Sequence, residues 1–196
     1  MSATRLLVLG VVRMFGRAHG YQVRRELLSW SADKWANVQP GSIYHALKKM
    51  AAEDLLEKID VEPGDGGPDR VAYRLTPDGD KEFQSLLARG LSDPHAGNAQ
   101  LCAAISLMPA LVRAQAIYLL RQQLIHFDGE ERRSRLSLED GSTSGLPSHV
   151  TEMNRLWAGV AKANKEWLTG VISRLEAGEY VMADDPGSAF APSAPE

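Results

Sequence analysis

The stretch Pro40-Gly41-Ser42-Ile43-Tyr44-His45-Ala46-Leu47-Lys48-Lys49-Met50 holds two patterns at once. Ile43, Ala46, Leu47 and Met50 recur at steps of three and four, which makes one apolar stripe on a helix. At about 100° per residue the opposite face collects Gly41, His45, Lys48 and Ala52, flanked by Ser42, Tyr44 and Lys49. Acidic groups arrive only at its end, as Glu53 and Asp54. Pro40 suits the first helical position, where its missing N–H sacrifices no hydrogen bond. A helix over 40–53 that buries one side and shows small, polar and basic groups on the other is suited to lie against an anionic partner.

Upstream, Leu6 to Phe15 is apolar almost all round, and ten residues without a turn signal favour a buried helix over a strand. Gly16 and Ala18-His19-Gly20 break it. A second helix then spans about Tyr21 to Trp30, with Val23, Leu27 and Leu28 inward and Arg24 and Arg25 outward. Trp30 and Trp35 flank the entrance to the 40–53 helix and read as core. Downstream, Leu56 to Val61 and Val71 to Leu75 have strand character, the second alternating Val71, Tyr73 and Leu75 with Ala72 and Arg74. Between them Pro63-Gly64-Asp65-Gly66-Gly67-Pro68 makes a hairpin tip. No Lys-Ser/Thr follows this tip and no strand-to-helix turn surrounds it, so it is not a nucleotide-phosphate loop. Thr76 caps a further helix with Pro77 at its first position, running to about Arg89.

Three helices, a two-stranded hairpin and another helix is the order of a winged helix-turn-helix. The expected fold is therefore mainly α: this domain over 1–92, then a helical, coiled-coil-like dimerisation domain over 96–180, then a disordered tail over 181–196. Ser92-Asp93-Pro94 marks the break. Beyond it, Ala99 to Met108 reads as helix, Pro109 as a kink or the first turn of a new helix, and the chain continues helical to about Leu138. Glu139 to Pro147 is a polar loop. In the last helix Val150, Met153, Trp157, Val160, Asn164, Trp167 and Val171 alternate steps of three and four, a heptad seam in which a buried Asn164 would fix register. The seam is covered either by a second copy or within one bundle. Trp157 and Trp167 read as its core. From Ala183 the chain is rich in Pro, Ala, Ser and Asp, which is the basis for expecting disorder.

Composition fits this picture. With 196 residues and 44% hydrophobic content the chain can build a core. The net charge of -3 hides an asymmetry: residues 1–90 hold 13 Lys and Arg against 12 Asp and Glu (+1), residues 91–196 hold 9 against 13 (-4). Cys102 is the single cysteine, so no internal disulfide forms. No secretory leader and no apolar run of roughly 20 residues is seen, so a cytoplasmic protein without a membrane span is expected. His19, His45, His95, His126, His149 and Cys102 show no metal-ligand spacing, and no catalytic constellation can be assembled. The expectation is no metal, no cofactor and no enzymatic activity.

Three segments together resemble the PadR family of bacterial regulators: His19-Gly20-Tyr21 at the second helix, Pro40 to Leu47, and the wing from Gly66-Gly67-Pro68 through Tyr73-Arg74-Leu75-Thr76 with Gly79. Order and spacing match through about residue 90; beyond it the resemblance is general, to long-form members with a helical extension. The resemblance implies a cytoplasmic homodimer, a repressor that binds double-stranded DNA at a palindromic operator and is released by a small-molecule effector or another signal; some relatives hold planar effectors at an aromatic dimer interface, which here would be that of Trp157 and Trp167. Two departures bear on recognition. His45 stands where the family often has Pro or Arg, and the wing carries Arg70 where relatives carry more positive charge, which leaves it one phosphate contact or minor-groove insertion. The DNA-binding residues expected are Tyr21, Gln39, Ser42, Tyr44, His45, Lys48, Lys49 and Arg70. The competing reading is an adaptor, a winged helix reused for protein contacts without DNA.

Overall fold

Leu6, Leu7, Val8, Leu9, Val11 and Val12 are each fully buried, so the middle of the first helix is enclosed on every side. The computed structural model describes residues 3–62, 70–139 and 147–187, without the side chains of residues 60–62, 70 and 148. It divides into two compact units, Met1–Gly90 with Ala96–Met108, and Leu91–His95 with Pro109–Glu196.

In the first unit α1 (Ala3–Phe15) ends where Gly16 takes φ +65°, the left-handed conformation that glycine adopts without a Cβ clash. β1 (Ala18–His19), α2 (Gly20–Ser29), α3 (Ala32–Trp35) and α4 (Pro40–Ala52) follow, then β2 (Leu56–Glu62), β3 (Arg70–Leu75), α5 (Pro77–Ser92) and α6 (Asn98–Leu107). α1 packs on α2, α4, α6, β1 and β3. A Cβ on Gly10 would lie 2.5 Å from Leu107 Cδ1, so the missing side chain lets α6 approach α1 closely. This places residues 96–108 with the first unit, whereas the sequence reading starts the second domain at 96.

The sheet has the antiparallel order β1-β3-β2. Leu56 pairs with Leu75 and Lys58 with Tyr73, and after an irregularity Asp60 pairs with Ala72; Ala18 pairs with Tyr73 from the other side. The wing hairpin expected from the alternation is present, with a third short strand added. β1 and α3 were not anticipated, because two and four residues are too short to show a period. The turn after α4 is clipped to the turn before α5. The Thr76 N–H donates to the Leu55 carbonyl at 3.1 Å, and its hydroxyl donates to the Asp54 carbonyl at 2.7 Å while accepting from the Gly79 N–H at 3.0 Å. Thr76 thus caps α5 as expected. A Cβ on Gly79 would sit 2.0 Å from the Leu55 oxygen, so only glycine fits this crossing.

The second unit is built on α7 (Arg113–Glu139) and α8 (Thr151–Glu176). Pro109 falls in a 3-10 turn, Met108–Ala110, ahead of α7. Arg113 bonds to Leu175, Lys165 to Glu131 and Asn154 to Ser137, so the two helices run antiparallel. Ala116, Leu119, Leu120 and Gln123 are buried on α7, and Ala161, Leu168, Ile172 and Leu175 on α8. The tail expected to be disordered from 181 makes specific contacts within its described part, residues 181–187. Arg113 donates to the Leu175 and Tyr180 carbonyls at 2.6 and 2.9 Å and pairs with Asp185, while Ala183 N–H donates to the Leu111 carbonyl at 3.1 Å. Arg113 satisfies a carbonyl at the end of α8, and Met182 is buried, a gain of about 2 kcal/mol. Residues 188–196, the wing tip at 63–69 and most of the loop at 140–146 lie outside the described residues.

Candidate nucleic-acid interface

α4 starts as its sequence requires. Gln39 is the N-cap at φ -84°, ψ 149°, Pro40 opens the helix, and the Ser42 hydroxyl turns back to donate to the Gln39 carbonyl at 2.7 Å. Ile43, Leu47 and Met50 are buried and Ala46 is half-buried, which reproduces the expected stripe. Gly41, Tyr44, His45, Lys48, Lys49 and Ala52 are exposed on the other side. Among the described residues Lys48 makes no ion pair, so its charge is available to a partner.

Tyr44 is half packed and half open. A Cβ on Gly20 would come within 2.6 Å of Tyr44 Cε1, so the ring lies over the start of α2 while 42% of the residue stays exposed. The neighbouring Tyr21 is also exposed and stacks on His19 with ring centroids 5.6 Å apart. His19 and Gly20, which looked like a helix break, therefore seat two of the candidate residues. Behind them Trp30 Nε1–H donates to the Glu26 carboxylate at 3.1 Å and Trp35 Nε1–H to the Trp30 carbonyl at 2.9 Å, and both indoles are half-buried. These bonds brace the path from α2 to α4.

The structure thus brings Ser42, Tyr44, His45, Lys48 and Lys49 together on α4, with Gln39 at its cap and Tyr21 next in sequence to Gly20, over which the Tyr44 ring lies. Arg70 lies at the start of β3, opposite Glu62, but its side chain is outside the described ones. Two residues absent from the sequence reading adjoin the same helix. Thr4 and Arg5, at the start of α1, face Ser42, His45 and Lys49 across a cleft of about 240 Å³ floored by Ala46 and Met50. Arg5 pairs with Glu53 at 2.6 Å and Glu82 at 2.9 Å, tying α1 to the end of α4 and to α5. No local pattern reveals this, since the partners are far apart in sequence.

The expected seam can be placed as well. In the single chain Met153, Trp157, Val160 and Trp167 are exposed, Val150 precedes the helix, and Val171 is buried. Asn164 donates its amide to the Val160 carbonyl of its own helix at 2.9 Å. Elsewhere in the second unit His95 and His126 meet edge to face at 5.1 Å. Burial, then His95 and Arg133, hold the His126 imidazole below its ordinary pKa. Lys165 sits between Asp128 at 2.6 Å and Glu131 at 3.0 Å, which lowers the Asp128 carboxyl and raises the lysine. Among the described residues no three His, Cys, Asp or Glu side chains are grouped to hold a metal, and no helix is long and apolar enough to cross a membrane.

Residues 8–85 match the model of the transcriptional regulator PadR-like family. Similar solved structures include Bacillus subtilis PadR in complex with operator DNA, at 19% identity and TM-score 0.39, covering 87% of this chain and 98% of that one. The same protein in complex with p-coumaric acid is 18% identical at TM-score 0.38, covering 89% and 99%. Smu.1604c from Streptococcus mutans UA159 is 20% identical at TM-score 0.39, covering 91% and 99%. No curated protein matches the chain. Residues 8–85, which hold the helix-turn-helix and the strands of the wing, are thus similar to the transcriptional regulator PadR-like family.

Proposed function

We propose that the protein is a homodimeric repressor that reads a palindromic operator with α4 and is released by an effector. The observation that carries the DNA reading is the solvent face of α4, where His45, Lys48 and Lys49 stand exposed behind a fully buried stripe. A helix presenting such a face enters the major groove, and a two-fold dimer sets two of them about 34 Å apart, one helical turn of DNA. The exposed apolar flank of α8 supports dimerisation, because a stripe of this kind is covered in a stable assembly. Trp157 and Trp167 on that flank are the aromatic surface on which a planar effector would act.

Within the face the roles divide by chemistry. Lys48 is a point charge for phosphate and contributes to any sequence; the His45 ring and the Ser42 hydroxyl oxygen, which remains an acceptor while its proton is on Gln39, distinguish base edges. The test is fluorescence anisotropy of the full chain on the duplex upstream of its own coding region, with a scrambled duplex and a salt series. Tight, salt-sensitive and selective binding is expected. Lys48→Ala weakens both duplexes equally and lowers the salt slope by about 1. His45→Ala changes preference between duplexes. Binding that ignores all three residues sinks the assignment and favours a protein adaptor.

A further inference from the structure

The cleft beside α4 has a chemistry of its own. Ser42 and Lys49 lie about a quarter turn round the helix from the centre of the groove-facing residues, towards α1, with His45 shared between the two sides. Among the described residues the cleft's free donors are the Thr4 hydroxyl, the His45 ring and the Lys49 ammonium, since the Ser42 proton is engaged on Gln39. Arg5 also lines the cleft, but its charge is already met by two carboxylates, Glu53 at Nη1 and Glu82 at Nε.

The nearest acid to Lys49 is Glu53, and its position decides the sign of the site. One carboxylate oxygen lies 2.6 Å from Arg5, while the other stands 4.0 Å from Lys49, beyond hydrogen-bond distance. The Lys49 side chain stays 62% exposed. Without Arg5, Glu53 would swing back one helical turn onto Lys49 and cancel the one full positive charge the cleft has to offer.

We propose that this cleft seats a DNA backbone phosphate beside the base-reading face, held by Thr4, His45 and Lys49, with Arg5 as the positioning residue that keeps Glu53 away. The inference rests on the DNA-binding reading above and adds a contact from α1 to it. A phosphodiester fits better than a free anion. The cleft is open, so a small ion would keep much of its water, whereas the backbone of a duplex whose groove holds α4 runs along the helix flank and is delivered there by the other contacts. The charge-assisted bond from Lys49, with the Thr4 hydroxyl and the His45 ring beside it, then fixes the register of α4 in the groove.

The experiment is the same anisotropy titration on cognate and scrambled duplexes, with a melting curve for each variant. Lys49→Gln should lower the salt slope by about 1 and weaken both duplexes by one factor. Thr4→Glu should weaken both at least tenfold while leaving melting unchanged or raised, since an acidic group suits a helix start. Arg5→Met should weaken binding, and adding Glu53→Gln to it should restore the loss; a merely structural Arg5 would not be rescued by removing a second charge. Wild-type affinity and slope in both Thr4→Glu and Lys49→Gln would overturn the phosphate seat while leaving the DNA reading intact. Failure of Glu53→Gln to rescue Arg5→Met would overturn the role of Arg5. A free-anion site is indicated instead if inorganic phosphate without DNA raises the melting temperature of wild type but not of Lys49→Gln, which also contradicts the proposal. Wild-type protein that binds no duplex removes both readings together.

Discussion

The two units place their apolar side chains differently. In the first, the large ones turn inward, and among the described residues Tyr21, Leu28 and Tyr44 are the ones left substantially exposed, all on α2 and α4. In the second, Tyr118, Ile125 and Leu136 on α7 and Met153, Leu156, Trp157, Val160 and Trp167 on α8 stand open to solvent. The first unit therefore closes its own core and leaves a polar, basic helix face for recognition. The second unit closes α7 against α8 and keeps an apolar flank in reserve, the surface that a second copy is proposed to cover.

The largest expected effect lies on that flank. Trp157→Glu combined with Val160→Glu should turn the protein from dimer to monomer in sedimentation velocity. Operator affinity should fall about 10²–10⁴-fold, because the second half-site loses its linked partner. The melting of the first unit should be unaffected. A dimer that survives both charges would remove the contrast between the units.

Next in size is Gly79→Ala in the first unit. Its Cβ would meet the Leu55 carbonyl, a backbone atom that cannot swing aside, so a loss of about 3 kcal/mol is expected in thermal or urea unfolding. Unchanged stability would mean that the crossing of the two turns is not tight. Thr76→Ala removes a hydroxyl that both caps α5 and holds the Asp54 carbonyl, and should cost about 1 kcal/mol by the same measurement.

The smallest effect tests the second unit by pH. The His126 imidazole is held below its ordinary value of 6.5, so as pH falls the unfolded chain takes up this proton before the folded one. Stability contributed by neutral His126 is present above that value and is lost as pH drops below it towards the folded pKa. His95, Arg133 and Asp93 face the same ring and set the window. His126→Gln should flatten the stability profile on the acid side in pH-dependent melts; an identical profile would show that the ring titrates freely.

What could be read from the chain alone was what repeats locally. Ile43, Leu47 and Met50 announce the buried side of α4, the Val71-Tyr73-Leu75 alternation announces β3, and Thr76-Pro77 announces the start of α5. β1 and α3 gave no such signal, since a pair of residues and a single turn have no period to detect. The stripe of Tyr118, Ile125 and Leu136 escaped because Gly129, Arg132 and Arg133 interrupt it along an arginine-rich helix. Composition misled at 181–187, where Arg113 gathers a segment whose residues on their own suggest disorder. The cleft of Thr4 and Lys49 was invisible for a different reason: it exists only once α1 is packed on α4.

The most direct measurement is selection of bound duplexes from a random-sequence library by the full-length protein. Enrichment of an inverted repeat whose half-sites are centred about one helical turn apart is the predicted result, because only a two-fold pair of α4 helices imposes that spacing. A single half-site without symmetry, or no enrichment at all, would contradict the account.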